Sequence, residues 1–324
     1  MKPPLTKYIG CLIGGAIGDS LGARREGSGA IANGGADLAP RYTSDTVMTI
    51  AVAESLIAAR EFHYWHMSER LIRLYEKEPW RRYGTTTSRV LRSMRHGRQG
   101  FGMLDRDLYA DGCFGCGAAA RVSPVGLLYH DDPRTLRDIA YHCASITHSH
   151  DLALEGAVVQ ACAVALAALA DPAAVVPREF LAALRMSTRS EPFQEKLKTI
   201  LQLLEAPPAR EQTIAGLGSG ISTLSAVAHA VHAFLTNRGF KNSLLDAVSR
   251  GGNAPAIGAM TGAIAGACYG IEGIPSQWRE TVENREQLEG LANNLWTMRK
   301  TAAGTGAPAS SNNAATGQGS ARTT

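Results

Sequence analysis

Two stretches in which nearly every residue is small constrain the fold most. "GGAIGDSLG" at Gly14–Gly22 carries glycines at 14, 15, 18 and 22, and "GGNAPAIGAMTGAIAGACYG" at Gly251–Gly270 is punctuated by glycine with alanine between. Residues this small let helices pack tightly against their neighbours. The rest of the composition agrees: 45% of residues are apolar but only 6% are aromatic, which favours closely approaching helices over an aromatic-rich sheet sandwich.

Apolar residues recur at the 3.6-residue helical period over 5–22, 46–60, 67–77, 152–169, 178–184, 195–204, 221–235, 243–248 and 257–269, and strong alternation of period two is nearly absent. Gly, Pro, Asp and Ser clusters such as "EAPPAREQT" separate these segments. The pattern predicts one all-α domain over 1–300. From Thr301 the chain has no large apolar residue and no periodicity, so 301–324 reads as a disordered tail.

The formal charge of +4 is small for 324 residues, and apart from clusters at 70–82 and 89–98 the basic residues are scattered, so nucleic acid is not indicated. The longest apolar run, 156–170, contains Gln160 and is too short to span a bilayer, and no basic segment followed by an apolar stretch opens the chain. A cytoplasmic protein with no membrane association is expected. Six cysteines, mostly in small apolar segments, read as buried thiols rather than a disulfide framework.

Five segments carry residues suited to chemistry. Asp19 lies in a small-residue helix where a carboxylate needs a hydrogen-bond partner, and it reads as a cap on a neighbouring segment. Glu26 follows in a Gly- and Ser-bearing loop, a setting for catalytic and for solvated carboxylates alike. Thr43, Ser44, Asp45 and Thr46 precede an apolar helical run; one of them suffices as an N-cap, and four oxygens at a positive helix end can also hold a hard cation or a phosphate.

In "DGCFGCGAAARVSPVGL" the glycines at 112, 115 and 117 can turn backbone N–H groups toward an anion and Phe114 can stack on a flat ring. Cys113 and Cys116 have CxxC spacing without a second pair, which argues against zinc. His148 and His150, two apart, diverge on a helix start and fit capping or ligand contact better than a shared metal. Gly218, Ser219 and Gly220 form a glycine-rich turn entering a helix, suited to phosphate or ribose, while His229 and His232 further along read as packed.

In this order, "GGAIGDSLG" with Glu26, "YTSDTVMT", "YGTTT", "FGCGAAARVSPVGL", "ITHSH", "GSGISTL" and "GGNAPAIGAMTGAIAGACYGIEGIPSQW" resemble the motifs of the ADP-ribosylglycohydrolase family over about residues 9–278. The resemblance implies a compact, single-domain orthogonal helical bundle. It also implies cleavage of the glycosidic bond joining ADP-ribose to a protein side chain, with two Mg²⁺ ions held by a Thr-Asp-Asp triplet and a late Asp-x-Asp-Thr/Ser.

Carried over, Glu26 and Asp45 are the candidate catalytic groups. Thr43, Ser44, Cys113, Phe114, Gly115, Cys116, His148, Gly218, Ser219, Gly220 and Asn253 fall at substrate-binding positions, with ADP-ribose or an ADP-ribosylated protein as the partner. The departures matter as much. Ser44 stands for the central Asp of the triplet, and Asn253, Pro255 and Ala256 stand for the late Asp, Asp and Thr/Ser.

Neutral amide and hydroxyl groups carry no charge, and Pro and Ala offer no side-chain donor. A dinuclear Mg²⁺ site is therefore not expected; the remaining donors allow at most one weakly held Mg²⁺ on Glu26, Thr43 and Asp45. Two readings stay open: a hydrolase of altered, metal-poor mechanism, and an inactive relative that binds ADP-ribose or an ADP-ribosylated partner. The tail is compatible with export as an effector and does not establish it.

Overall fold

The computed structural model describes residues 2–28, 41–96, 104–107 and 109–305. Among them there is no β-strand, only one isolated bridge between Gly115 and Ser222. The chain runs through α1 (Leu5–Ser28), α2 (Ser44–Ala59), α3 (Tyr64–Lys77), α4 (Thr85–Arg95), α5 (Gly117–Ala120), α6 (Ser123–Leu128), α7 (Pro133–Ser145) and α8 (Asp151–Leu169). It continues through α9 (Pro177–Ser187), α10 (Glu191–Glu205), α11 (Arg210–Leu217), α12 (Thr223–Thr236), α13 (Phe240–Ser249), α14 (Ala254–Tyr269), α15 (Ser276–Thr281) and α16 (Arg285–Thr305). The architecture is the all-α orthogonal bundle expected from the sequence.

The two small-residue stretches meet each other. Helices α1 and α14 lie antiparallel, and their glycines mesh at four-residue intervals: a Cβ built on Gly18 would sit 1.9 Å from the Gly258 carbonyl oxygen, one on Gly14 2.4 Å from that of Gly262, and one on Gly10 2.4 Å from that of Gly266. At the far end the same contact is made by Gly22 against the Ala254 carbonyl, at 2.2 Å. No side chain fits between these backbones. Contrary to the loop expected after residue 22, α1 continues to Ser28, so Glu26 lies in its last turn, and the close pair sets that turn beside the first turn of α14.

Helix α8 forms the second axis of the core. It begins at Asp151, capped by the His150 side chain, which accepts from the Leu152 N–H at 3.1 Å. This polar first turn lengthens the helix beyond the apolar run at 156–170, so that, contrary to the sequence expectation, it is long and apolar enough to cross a membrane. Within the fold 83% of its apolar window is buried, and Gln160 donates to the Met260 carbonyl at 3.1 Å, tying it to α14. It is built as a core helix.

Seven of the described helices lie outside the periodic segments: α5, α6 and α15 are too short to show a period, and the apolar stripes of α4, α7, α11 and α16 are interrupted by arginines or other polar residues. Helix α16 runs through Thr305 and so takes in the first five residues assigned to the tail; the remainder, 306–324, lies outside the described residues. All six cysteines are free. Five are buried, and Cys113 is partly exposed.

Candidate functional site

Where the ends of α1, α2, α4 and α14 converge, the chain leaves a cleft of about 420 Å³, within the range of small-molecule sites. Three helices open into it by their first turns. Thr43, Ser44 and Asp45 come from α2, Gly84 to Thr87 from α4, and Asn253 and Pro255 from α14. Each helix N-terminus carries a partial positive charge, but the first-turn N–H groups of α2 are taken by Asp19, Thr43 and the Arg81 carbonyl, and those of α14 by Asn253 and the Gly252 carbonyl or are absent at Pro255. Thr85, Thr86 and Thr87 of α4 have no N–H partner among the described residues, so α4 is the end that can offer hydrogen bonds to an anion.

Asp19 explains how the first of these ends is held. Its carboxylate accepts from Thr43 N (2.9 Å), Thr43 Oγ1 (2.7 Å), Thr46 N (3.0 Å) and Thr46 Oγ1 (2.7 Å), capping α2 from α1. Asp19 is thus the cap that the sequence reading expected. Thr43, the N-cap itself, also accepts from Asp45 N at 3.3 Å.

Asp45 is buried, and no hydrogen bond from a described residue reaches its carboxylate. Burial, then the neighbouring Asp19 and Glu26 carboxylates, hold its pKa well above the usual range, with the Arg121 guanidinium opposing them. A carboxyl group in this setting retains a proton more readily than an exposed one. Glu26 is differently placed: its Oε2 accepts from Arg82 Nη2 at 2.6 Å, while Arg82 Nη1 donates to the Ala23 carbonyl at 3.3 Å. Arg82 holds this position with a left-handed backbone, φ 62° in Arg60 and 59° here being two of the few such non-glycine residues described.

At the start of α14 the late motif has a structural use. Asn253 is the N-cap, its Oδ1 accepting from Ala256 N at 3.3 Å, and its Nδ2 donates to Cys116 Sγ at 3.3 Å. Pro255 sits in the first turn, where a missing N–H costs nothing. The amide of Asn253 is therefore committed on both sides.

The donor chemistry does not fit two divalent ions. Glu26 is paired with a cation, Thr43 Oγ1 donates its hydrogen to Asp19, the Asn253 oxygen caps a helix, and Pro255 and Ala256 bring no side-chain donor. What remains uncommitted is one carboxylate, Asp45, with Ser44 beside it. Among the described residues no group of three or more His, Cys, Asp or Glu side chains is placed to hold a metal.

The other sequence-derived residues fall around the same cleft. Cys113, Gly115, Cys116 and His148 line it. His148 is buried, and burial together with the nearby Arg121 charge pushes its pKa down to about 3, so the ring is neutral. Burial pushes the Cys116 thiol up, leaving it a thiol.

Phe114, 48% exposed, is not among the lining residues although it lies between Cys113 and Gly115; it stands edge-on to His150, its carbonyl taking hydrogen bonds from Thr223 N and Oγ1, both at 2.9 Å. Gly218, Ser219 and Gly220 do not line the cleft. They brace its wall from behind: Gly220 O accepts from Asn253 N at 3.0 Å, and His229 Nε2 meets Gly218 O at 2.8 Å.

Arg82, the first turn of α4 and Ile221 also line the cleft. The motifs "YGTTT" and "GSGISTL" contain the α4 turn and Ile221, though the sequence alone assigns neither to a binding position. Arg82 has no such motif, since it lies in a run of charged residues with nothing to distinguish it.

Fold and cleft together describe an all-helical protein with a cleft of small-molecule size at converging helix N-termini. The ADP-ribosylglycohydrolase family profile matches residues 1–304, and the chain belongs to that family. It is 30% identical to "ADP-ribosylhydrolase ARH3" of Gallus gallus over 91% of this chain and 94% of that one, and 28% identical to the Homo sapiens protein of the same name over 90% and 93%. It is 26% identical to "ADP-ribosylarginine hydrolase Tri1" of Serratia proteamaculans, over 91% and 80%. A solved structure described as "ADP-ribosylglycohydrolase-related protein complex" superposes with a TM-score of 0.69 at 25% identity, covering 91% of this chain and 98% of that one.

Proposed function

We propose that the cleft binds ADP-ribose, free or attached to a protein side chain, and that the chain cleaves the glycosidic linkage by a metal-poor mechanism. The observation carrying this reading is the pairing of opposites in one cleft. An uncommitted Asp45 carboxyl of raised pKa lies near Glu26, whose own carboxylate is tied to Arg82.

The diphosphate meets the first turn of α4, whose Thr85, Thr86 and Thr87 N–H groups have no partner among the described residues, with the partial positive ends of α2 and α14 beside it. Arg82 adds a full charge at the mouth, the role a divalent ion plays where carboxylates are present to hold one. As the glycosidic bond breaks, water forms the new bond to the anomeric carbon and gives its proton to ionised Asp45, while the released side chain leaves with the bonding electron pair and gains a proton from solvent. The Asp45 pKa is displaced in the direction useful for a base near neutral pH. Glu26, oriented by Arg82, faces the positive charge that develops on the ribose ring in such a step.

A second reading is favoured by Asn253 and Pro255, which serve the α14 cap where the family pattern has carboxylates. In that reading the protein binds ADP-ribose or an ADP-ribosylated partner without cleaving it.

Calorimetry with ADP-ribose in Mg²⁺ and in EDTA tests what both readings share: equal affinity in the two buffers is expected, and absence of binding at millimolar ligand overturns both. Incubation with arginine-, serine- and threonine-linked ADP-ribosyl substrates separates them. Release that is lost in Asp45→Asn supports the hydrolase; binding without release from wild type supports the binder.

A further inference from the structure

Behind the cleft wall, three polar side chains run inward in a line. Arg121 is fully buried, and Thr147 and His148 are buried beside it. Arg121 Nη1 donates to Thr147 Oγ1 at 2.8 Å and Nη2 donates to the Cys143 carbonyl at 2.6 Å. A guanidinium has no acceptor, so the Thr147 oxygen must be the acceptor in the first of these bonds.

The Thr147 hydroxyl has one hydrogen left to give. Among the described residues its partner is His148 Nδ1, at 2.8 Å. That nitrogen must then be bare, which puts the single proton of the neutral ring on Nε2. Nε2 lies at the cleft side of the ring, where a Cβ added to Gly115 would stand 3.8 Å from it, and no described protein group takes its hydrogen.

We propose that Arg121 and Thr147 are positioning residues that lock His148 as the Nε2–H tautomer, presenting one fixed donor to an acceptor oxygen of the bound ligand. Arg121 sets the direction of the whole chain, because its charge cannot be removed and its N–H groups cannot reverse. The neutral ring gives a hydrogen bond and does not transfer a proton. Its part is recognition: the donor meets a phosphate or ribose oxygen and finds no match in an apolar group.

Only the identity of that oxygen rests on the ADP-ribose reading. The tautomer belongs to the free protein.

The test uses the full chain labelled with ¹⁵N-histidine, the His148 signals being identified by their loss in His148→Gln. Long-range ¹H–¹⁵N correlation without ligand is expected to show a protonated Nε2 and a bare Nδ1. Thr147→Val, nearly the same shape but unable to donate, should mix the tautomers and weaken ADP-ribose binding about tenfold, the cost of one misaligned hydrogen bond. Thr147→Ser should restore both. Removing fully buried Arg121 risks the fold itself, so the Thr147 pair carries the test.

A proton on Nδ1 in wild type overturns the proposal, as does a Thr147→Val protein with unchanged tautomer and affinity. If the tautomer behaves as expected but no variant, nor wild type, binds ADP-ribose, the lock stands and the ligand reading falls.

Discussion

At the residue scale, burial makes Asp45 a pH-dependent contributor to stability. Its carboxyl is buried next to two other carboxylates, with Arg121 as the only opposing charge among the main influences on it. The folded protein therefore holds this proton more tightly than the unfolded chain does. Stability from such a group is fully present below the unfolded carboxylate value of about 4 and is lost as pH rises through the raised folded value.

Asp45→Asn, which cannot ionise, should thus gain on wild type as pH climbs from about 4 to 7, reaching an advantage on the order of a few degrees in melting temperature at pH 7. Thermal melts at the two ends of that range check the sign; an advantage that shrinks with pH would show the carboxyl is stabilised when charged. The metal question also belongs to single residues. Combining Ser44→Asp, Asn253→Asp, Pro255→Asp and Ala256→Thr restores the family pattern, and Mg²⁺ should then raise the melting temperature where it leaves wild type nearly unmoved. A large Mg²⁺ response in wild type would mean that Glu26, Thr43 and Asp45 suffice.

At the scale of elements, the α1 and α14 pair is held by absence of side chains. A methyl at Gly18 or Gly258 meets the opposite backbone at 1.9 and 2.1 Å, contacts that only a shift of a whole helix relieves. Gly18→Ala and Gly258→Ala should each destabilise by about 3 kcal/mol or more, the upper range for overpacking, and should also weaken ligand binding because Glu26 and the first turn of α14 move with the helices.

Gly15 is the internal control. It lies in the same helix, but its added Cβ finds its nearest atom at 3.5 Å, so Gly15→Ala should be neutral or mildly stabilising. Gly290, within α16, has nothing within 4 Å, and Gly290→Ala should stabilise by about 0.5–1 kcal/mol. Chemical denaturation of the four variants orders them; a Gly18→Ala protein as stable as Gly15→Ala would show that the helices can separate without cost.

For the whole molecule, the cores around α8 and around α1 with α14 share one hydrophobic cluster with no disulfide across it. Melting should be indifferent to reductant. Of the six thiols only Cys113 is partly exposed, so a thiol reagent should modify one cysteine promptly in the native protein and the other five only on unfolding. Prompt reaction of several thiols would mean that the buried segments open on the timescale of the assay. Cys113 lines the cleft, and bound ADP-ribose should slow its modification.

Much of this is legible in the sequence. Helical period and small-residue spacing are properties of contiguous residues, so the all-α fold and the tight packing of both glycine-rich stretches follow from short windows of sequence, as does the need of Asp19 for a partner, while the identity of that partner, the first turn of α2, does not. The chemistry of the late motif follows in the same way, because Asn, Pro and Ala lack a charge wherever they sit. Only the tertiary structure decided which backbone each glycine meets, that Asn253 spends its amide on a cap and on Cys116, and that Arg82 reaches Glu26 across 56 residues. Those outcomes depend on distances between segments remote in the chain, and a local pattern holds no information about a distance until packing has brought the segments together.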